Sequence, residues 1–542
     1  MCLAFSLTSP GCHSETDNVT FGYEWQPPQC IYGTMPKIGS DRCQPIGKFC
    51  PDETWTESQA GAIYVSPNGK GNGTTQNSPL SSIQVAIDLA QSGDTIILSQ
   101  GNFDESLVIE KDLVIKGSCV RGTIIRSPGF IDWLPTILVS EQAKVRLENF
   151  TVTGGRAGIK ATGQNTFLEL YSINVNANHT YGVLYDEKSR GTMNRVAIRD
   201  CLPDGAGHWG LGLEVLNDSQ VRASDLHVSD NQSFGVLVAG GHLWLRDSII
   251  TGTRPQQSDE TRGDGISVFQ QGTADLSNIY LADNKYIGIS ATESGTQIRG
   301  QNLVIKSTTH DEANSKGGLG LKIAEGAEVY LAHTDIVESQ QGGILVQDSE
   351  SYLEAQDLLV KDTIGDEFGQ EGWGMTIHDA ASVKLNRASI TNNQKVGVLV
   401  SGHGSSFNAN ELEISETSSE KLCPGGQEEC TTGFGYGLIN VGASVQIENF
   451  SIHNNAKAGL VLFDPGRLSY RDQPREFLSG ETFLSARAGS ITENSIGVNL
   501  QVDSVQKALK LVDVPVTNNE ETNISSEALP VPNPSESVED LF

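Results

Sequence analysis

The apolar residues of this chain come in short runs, and from Gly158 to Leu462 a run that opens on a glycine returns at two alternating intervals. Gly182-Val-Leu, Gly235-Val-Leu-Val, Gly288-Ile, Gly343-Ile-Leu-Val, Gly397-Val-Leu-Val and Gly459-Leu-Val-Leu repeat one motif, with Gly158, Gly212, Gly265, Gly320, Gly374 and Gly437 opening the runs between them. Short steps, such as Gly212 to Gly235, alternate with longer ones, such as Gly182 to Gly212. A self-similar period of this size marks stacked repeats rather than an ordinary globular core. Each unit holds two or three segments with period-two alternation, as in Gly235-Val-Leu-Val-Ala, His242-Leu-Trp-Leu-Arg-Asp and Ser248-Ile-Ile-Thr. Such segments are too short to form a sheet alone and bury their apolar side only on the equivalent segment of the next unit. The pattern predicts an all-β right-handed parallel β-helix, with coils about 4.8 Å apart in a rod roughly 65–70 Å long. A β-propeller is the competing fold, since a paired unit approaches blade size. Both halves of the pair carry the same glycine motif, whereas propeller strands occupy unlike positions.

A second register runs beside the first. Asn178, Asn231, Asn284, Asn393 and Asn455 each stand four residues before a repeat glycine. Asparagine tolerates the left-handed conformation of a tight bend, and its amide can bond the asparagine one coil away, so these positions are expected to form a structural ladder. The longer steps carry their extra residues at this bend: 201–209, 253–264, 308–318, 363–373 and 417–436. In a stack, those insertions emerge on alternate coils along one edge, and loops held on a rigid scaffold are where function concentrates.

The chain divides into three parts. Over residues 61–502 it reads as solenoid, opening with a strand at Ile63 and an amphipathic helix over 79–91 whose stripe is Ile83, Ala86, Ile87 and Ala90. That helix is expected to cap the open end of the stack. Ile63-Tyr-Val-Ser-Pro-Asn-Gly, Ser81-Ser-Ile-Gln-Val-Ala-Ile-Asp and Gly93-Asp-Thr-Ile-Ile-Leu followed by Gly101-Asn-Phe resemble the opening of bacterial pectin-lyase-like right-handed β-helix proteins. The resemblance covers about 63–501 and implies the fold; the superfamily spans lyases, hydrolases, epimerases and surface proteins, so it does not select an activity. Residues 1–60 read as a cysteine-rich leader, with Cys12, Cys30, Cys43 and Cys50 open to three pairings. The stretch from Cys30 to Gly47 resembles leaders of surface β-helix proteins from predatory soil bacteria. Residues 503–542 turn acidic and rich in Ser, Asn and Pro, and read as a largely disordered tail.

The net charge of −30 argues against nucleic acid and anionic membrane as partners, and against direct binding of polyanionic sugars without a bridging cation. No apolar run is long enough for a membrane-spanning helix. Nine cysteines favour an oxidising compartment, hence a secreted or cell-surface protein, and Cys423 and Cys430 are a candidate local disulfide. Ser9-Pro-Gly-Cys12 resembles a lipoprotein processing site, which sets lipidation of Cys12 against a disulfide.

No complete catalytic motif is present. Gly402-His403-Gly404 resembles one polygalacturonase motif, but its three companion motifs are missing, and His310-Asp311 and His378-Asp379 form no recognisable dyad. No catalytic residue is assigned. The insertion edge supplies the candidate ligand-binding set, Trp209, Asp264, Asp366, Glu371, Trp373 and Tyr436. Flat aromatics suit sugar rings, and stacked carboxylates suit Ca²⁺, the candidate cofactor. The same residues also read as solvated acids and core aromatics. The expected function is therefore a non-catalytic adhesion or glycan-binding module for an extracellular polysaccharide or cell-surface glycan. The alternative is a polysaccharide lyase or glycoside hydrolase.

Overall fold

The computed structural model describes residues 22–55, 58–129, 135–310, 317–365, 372–419, 421–422, 431–465 and 480–531. Its glycine-led strands stack in parallel, Leu211–Leu216 on Phe234–Ala239 and that on Asp264–Phe269, through a sheet of 16 strands from Leu107–Ile109 to Thr522–Ser525. The glycines stand in a column. A Cβ at Gly235 would lie 2.8 Å from the carbonyl oxygen of Gly265 and 2.9 Å from Ile250. Neighbouring coils can come this close only where no side chain intervenes.

Most coils place one ten-residue strand before each glycine strand. Arg190–Arg199, Gln220–Ser229 and His242–Thr251 are three of them. Each bends at its sixth residue, where Arg195, Asp225 and Asp247 take φ of 57°, 51° and 51°. The bend makes two sheets from one strand. Val145–Glu148 pairs with Leu113–Lys116, while Thr151–Thr153 pairs with the separate strand Thr123–Arg126. Each coil therefore contributes to three parallel sheets, and the all-β parallel β-helix is the observed architecture. Inward residues such as Val221, Ala223, Leu226 and Val228 join one core that runs from Val65 to Ala508.

The helix is shorter than the sequence pattern suggests, Ile83–Leu89, because Ser82 caps it and Ala90 is already extended. Glu105 closes its N-terminus, accepting from Ile83 N at 2.8 Å and Gln84 N at 3.0 Å. Ile83, Ala86 and Ile87 face the first coils as a lid.

Both ends differ from expectation. Over residues 22–50 the cysteine-rich segment lies along the outer face of the second sheet. Tyr23, Trp25 and Ile38 cover Ile249, Tyr280 and Val304, while Met35 and Ile46 pack with Val120 and Ala197. Cys30 pairs with Cys43, and Cys50 pairs with Cys119 in the solenoid, a partner outside the four leader cysteines. Cys12, Cys423 and Cys430 lie outside the described residues; among those described, Cys201 is the free thiol and is buried. The tail expected from 503 continues the stack instead, because Leu509, Leu511, Val514 and Val516 alternate and pack on the core. Leu509–Val512 and Thr522–Ser525 pair with the preceding coil, and the chain then lies against the third sheet, where Val531 joins Ile439 and Val461.

The asparagine column is present, with a different geometry from the one expected. The left-handed residue is the one before each asparagine, as at Asp230, Asp283 and Asn392. The asparagine itself bonds backbone one coil away. Asn231 accepts from Cys201 N at 3.0 Å and donates to Ile198 O at 3.2 Å, and Asn393 does the same with Thr363 N and Val360 O. Direct amide-to-amide contact occurs further along, where Asn455 donates to Asn494 and Asn494 to Asn519.

Candidate functional site

The first half of each ten-residue strand turns its odd-numbered positions outward, and parallel register sets equivalent positions of successive coils side by side. The resulting face holds a long open groove of about 950 Å³, lined from Thr192 and Asn194 at one end to Lys384 and Asn386 at the other. Its floor column is fixed by pairings of Arg222 with Trp244, Trp244 with Asp275, Asp275 with Arg299, Arg299 with Tyr330, and Tyr330 with Glu354. Seven steps between Thr192 and Lys384 span about 34 Å at the usual strand spacing.

Side chains here hold one another in place. The Arg222 guanidinium lies 3.8 Å from the Trp244 ring centroid, and His242 stacks on Trp244 at 3.6 Å. The ring is thus clamped between a cation and an imidazole, which orients the planar guanidinium while leaving its N–H groups available. His242 Nε2 is 2.8 Å from Asp275. Arg299 lies over Tyr330 at 5.9 Å, and the Tyr330 hydroxyl donates to Glu328 at 2.9 Å, which raises its pKa. Glu354 accepts from Lys384 at 2.7 Å and from Tyr352 at 3.1 Å, and the lysine holds that carboxyl below its ordinary range. Arg222 and Arg299 pair with no carboxylate among the described residues.

Charge in the groove runs against the charge of the whole. Its lining carries Arg222, Arg246, Arg299 and Lys384 against Asp275 and Glu354, on a chain of net −30. The expectation about acidic sugars rested on net charge, whereas the field inside a cleft is set by the groups that line it.

The insertion edge behaves differently. Its first two loops touch one another: Ser258 N donates to Gly207 O at 3.0 Å, and Ser258 Oγ meets His208 Nδ1 at 2.7 Å. Trp209 is 44% exposed there, with its backbone N–H donating to Gln256 at 3.2 Å. Trp373 and Tyr436 are buried, at 6% and 0%, and the Tyr436 hydroxyl donates to Pro530 O at 2.9 Å. Their ring faces are taken up by the third-sheet cluster with Leu399 and Ile439, leaving no platform for a sugar. Asp264 is also buried; desolvation raises its pKa to about 7, with Lys322 and Arg262 pulling the other way. Asp366 and Glu371 lie outside the described residues. Among the described residues no three His, Cys, Asp or Glu side chains converge as a metal site, so the proposed Ca²⁺ has no cluster there. His403 is exposed in a turn, and His378 Nδ1 lies 2.7 Å from its neighbour Asp379.

Sequence reasoning passed over the groove entirely. Its signal, a basic and aromatic column, appears only when the coils are in register.

Comparison with known proteins identifies the fold. Residues 258–412 match the family model described as "Right handed beta helix region". Among solved structures, a pectate lyase matches at 13% identity over 60% of this chain and 75% of its own, with a TM-score of 0.33. An alginate lyase from Paenibacillus sp. str. FPU-7 matches at 14% identity over 56% and 90%, TM-score 0.33. A periplasmic alginate epimerase matches at 10% identity over 77% of both chains, TM-score 0.38. No curated protein matches in sequence. No helix among the described residues is long and apolar enough to cross a membrane.

Proposed function

We propose that this right-handed parallel β-helix of the pectin-lyase-like superfamily binds an extended acidic polysaccharide along the groove of its first sheet. The observation that carries the reading is Arg222 held over Trp244 with no carboxylate partner among the described residues, an arrangement repeated by Arg299 over Tyr330. A guanidinium fixed by an aromatic face is preorganised for a planar carboxylate, and little rotamer freedom is lost when it bonds. The neighbouring outward column is mostly neutral, with Ser224, Ser277, Gln301 and Gln356 supplying donors and acceptors for sugar hydroxyls. The groove runs along successive coils, which suits an extended chain. Two disulfides fit an extracellular or periplasmic compartment, where such polymers are met.

This reading is one of capture without turnover. The contact between His242 and Asp275 favours a second reading, in which the imidazole takes the proton on C5 of a bound uronate, the C4=C5 double bond forms as the C4–O bond breaks, and the leaving oxygen takes a proton from water. One experiment separates them. The protein is incubated with acidic and neutral polysaccharides, and binding is followed by affinity electrophoresis beside absorbance of unsaturated uronate and release of reducing ends. Retardation by acidic polymers without product supports capture; unsaturated product abolished by His242→Gln supports elimination. Absence of retardation by every acidic polymer removes both.

A further inference from the structure

The cations of the groove floor are evenly spaced. Along the column, Arg222, Trp244 and Asp275 are followed by Arg299, Tyr330 and Glu354, and then by Lys384. A cation, an aromatic and an acid thus recur in that order, one per coil. Upstream, Arg146 stands three coils before Arg222, through Glu169 and Thr192. Cations at every third coil are about 14 Å apart, given roughly 4.8 Å per coil.

We infer that the groove selects a polysaccharide bearing one anionic sugar in every three, rather than a polymer charged at every residue. This rests on the groove being the glycan site. One coil is roughly 4.8 Å thick, a span that one pyranose of an extended chain can match, so a chain lying along the column presents one sugar to each coil. A uronate opposite Arg222 then places its third neighbour opposite Arg299 and its sixth opposite Lys384. Between the cations the floor presents Asp275 and Glu354, both 34–42% exposed at the side chain. A uniformly charged polymer would set carboxylates against these acids, and like-charge juxtaposition is how a surface rejects a wrong partner. Trp244 and Tyr330 fall at intervening coils, where they hold the two guanidiniums in place and bring no charge of their own.

The period has local departures that leave the central repeat standing. Arg146 is engaged by Glu169 at 3.0 Å and Glu148 at 3.3 Å, so that end is already neutralised. Arg246 adds a charge beside Trp244 in the neighbouring column. Lys384 is likewise engaged, by Glu354 at 2.7 Å, so Arg222 and Arg299 with Asp275 between them carry the argument, and Lys384 marks the next interval of the register.

The test is calorimetric titration of the full chain with three heptasaccharides of one linkage. The first carries uronates at its first, fourth and seventh units, the second at every unit, and the third at none. The expected order is the first binding about tenfold more tightly than the second despite fewer charges, with the neutral chain weakest. The double variant Asp275→Asn, Glu354→Gln is expected to bring the first two within about threefold of each other. Equal or tighter binding of the fully charged chain by the wild type overturns the spacing while leaving the groove as the site. Failure of both charged chains to bind overturns the site and the spacing together. A double variant that keeps the full discrimination shows that the acids do not cause it, and overturns the inference.

Discussion

The guanidinium of Arg222 lies 3.8 Å from the ring centroid of Trp244, one coil further along the rod. The two residues act as one unit, since the ring fixes the plane of the guanidinium and the guanidinium brings the charge. Trp244→Ala is expected to lower affinity for an acidic polysaccharide about tenfold, and Arg222→Gln by a similar factor. The double variant should lose little more than either single one, because contacting residues do not add. Binding should also weaken as NaCl is raised. Calorimetry on the four proteins checks the coupling, and unchanged melting temperatures show that the rod is intact.

A second prediction concerns the ladder. Asn393 satisfies two buried backbone groups, Thr363 N and Val360 O, whereas Asn284 accepts from Thr253 N and its own Nδ2 has no partner. Leaving a buried polar group unpaired costs about 1–3 kcal/mol. Asn393→Leu should therefore destabilise the rod more than Asn284→Leu, by about 1 kcal/mol or more in chemical denaturation. Neither change should alter glycan affinity, since the ladder lies at a bend away from the groove.

These two features differ in how far the chain announces them. The glycine column was legible because its cause is local: a close approach at one position in every coil excludes all other residues. The left-handed corner of each ten-residue strand was less so, because Asp225, Asp247, Asn278 and Asn302 suit that conformation but Arg195 and His333 fill the same place, so no single residue type marks it. The groove was hidden for a related reason. Trp244 stands nine residues past Gly235, Tyr330 ten past Gly320, and Arg299 eleven past Gly288. A shift of one residue turns a side chain from the surface to the core, so no fixed offset from the repeat glycine finds the column. The insertion aromatics misled for the opposite reason: Trp373 stands directly before a repeat glycine and Tyr436 before another, where the outward position is covered by neighbouring chain.

Burial of titratable groups gives the third prediction. Asp264 is raised to about 7 and Glu214 to about 8, both chiefly by desolvation. An unfolded chain releases these protons near pH 4, so between pH 4 and the folded values the native state holds more protons than the unfolded one. Their contribution therefore falls as pH rises through that window. His227 has the opposite sign. Burial, then Arg199, lowers it to about 3, so its contribution is intact above pH 6.5 and is lost as pH falls toward 3. Asp264→Asn should gain on the wild type in melting temperature from pH 4.5 to 7.5. His227→Gln should gain on it from pH 6.5 down to 4. Parallel pH curves for wild type and variants would contradict both assignments.

The last prediction concerns the segment laid over the second sheet. Its disulfide, Cys50–Cys119, closes a separation of 69 residues, which a chain-entropy model converts to about 4 kcal/mol. Polar anchors hold the rest, with Arg199 Nη2 donating to Thr34 O at 3.1 Å and Lys306 Nζ to Tyr23 O at 3.1 Å. Beneath it Trp25 meets the Tyr280 ring edge-on at 5.1 Å. The parallel pairings of the coils are made without this segment, whereas Ile249, Tyr280 and Val304 depend on it for cover. Replacing Cys50 and Cys119 by serine should therefore detach the segment before it unwinds the rod. Limited proteolysis should cut first within 22–50 and leave a resistant core, while a dye sensitive to apolar surface brightens as those three side chains meet water. Simultaneous loss of the segment and the core would mean that the two form one cooperative unit, and that the strap is part of the stack rather than a cover laid upon it.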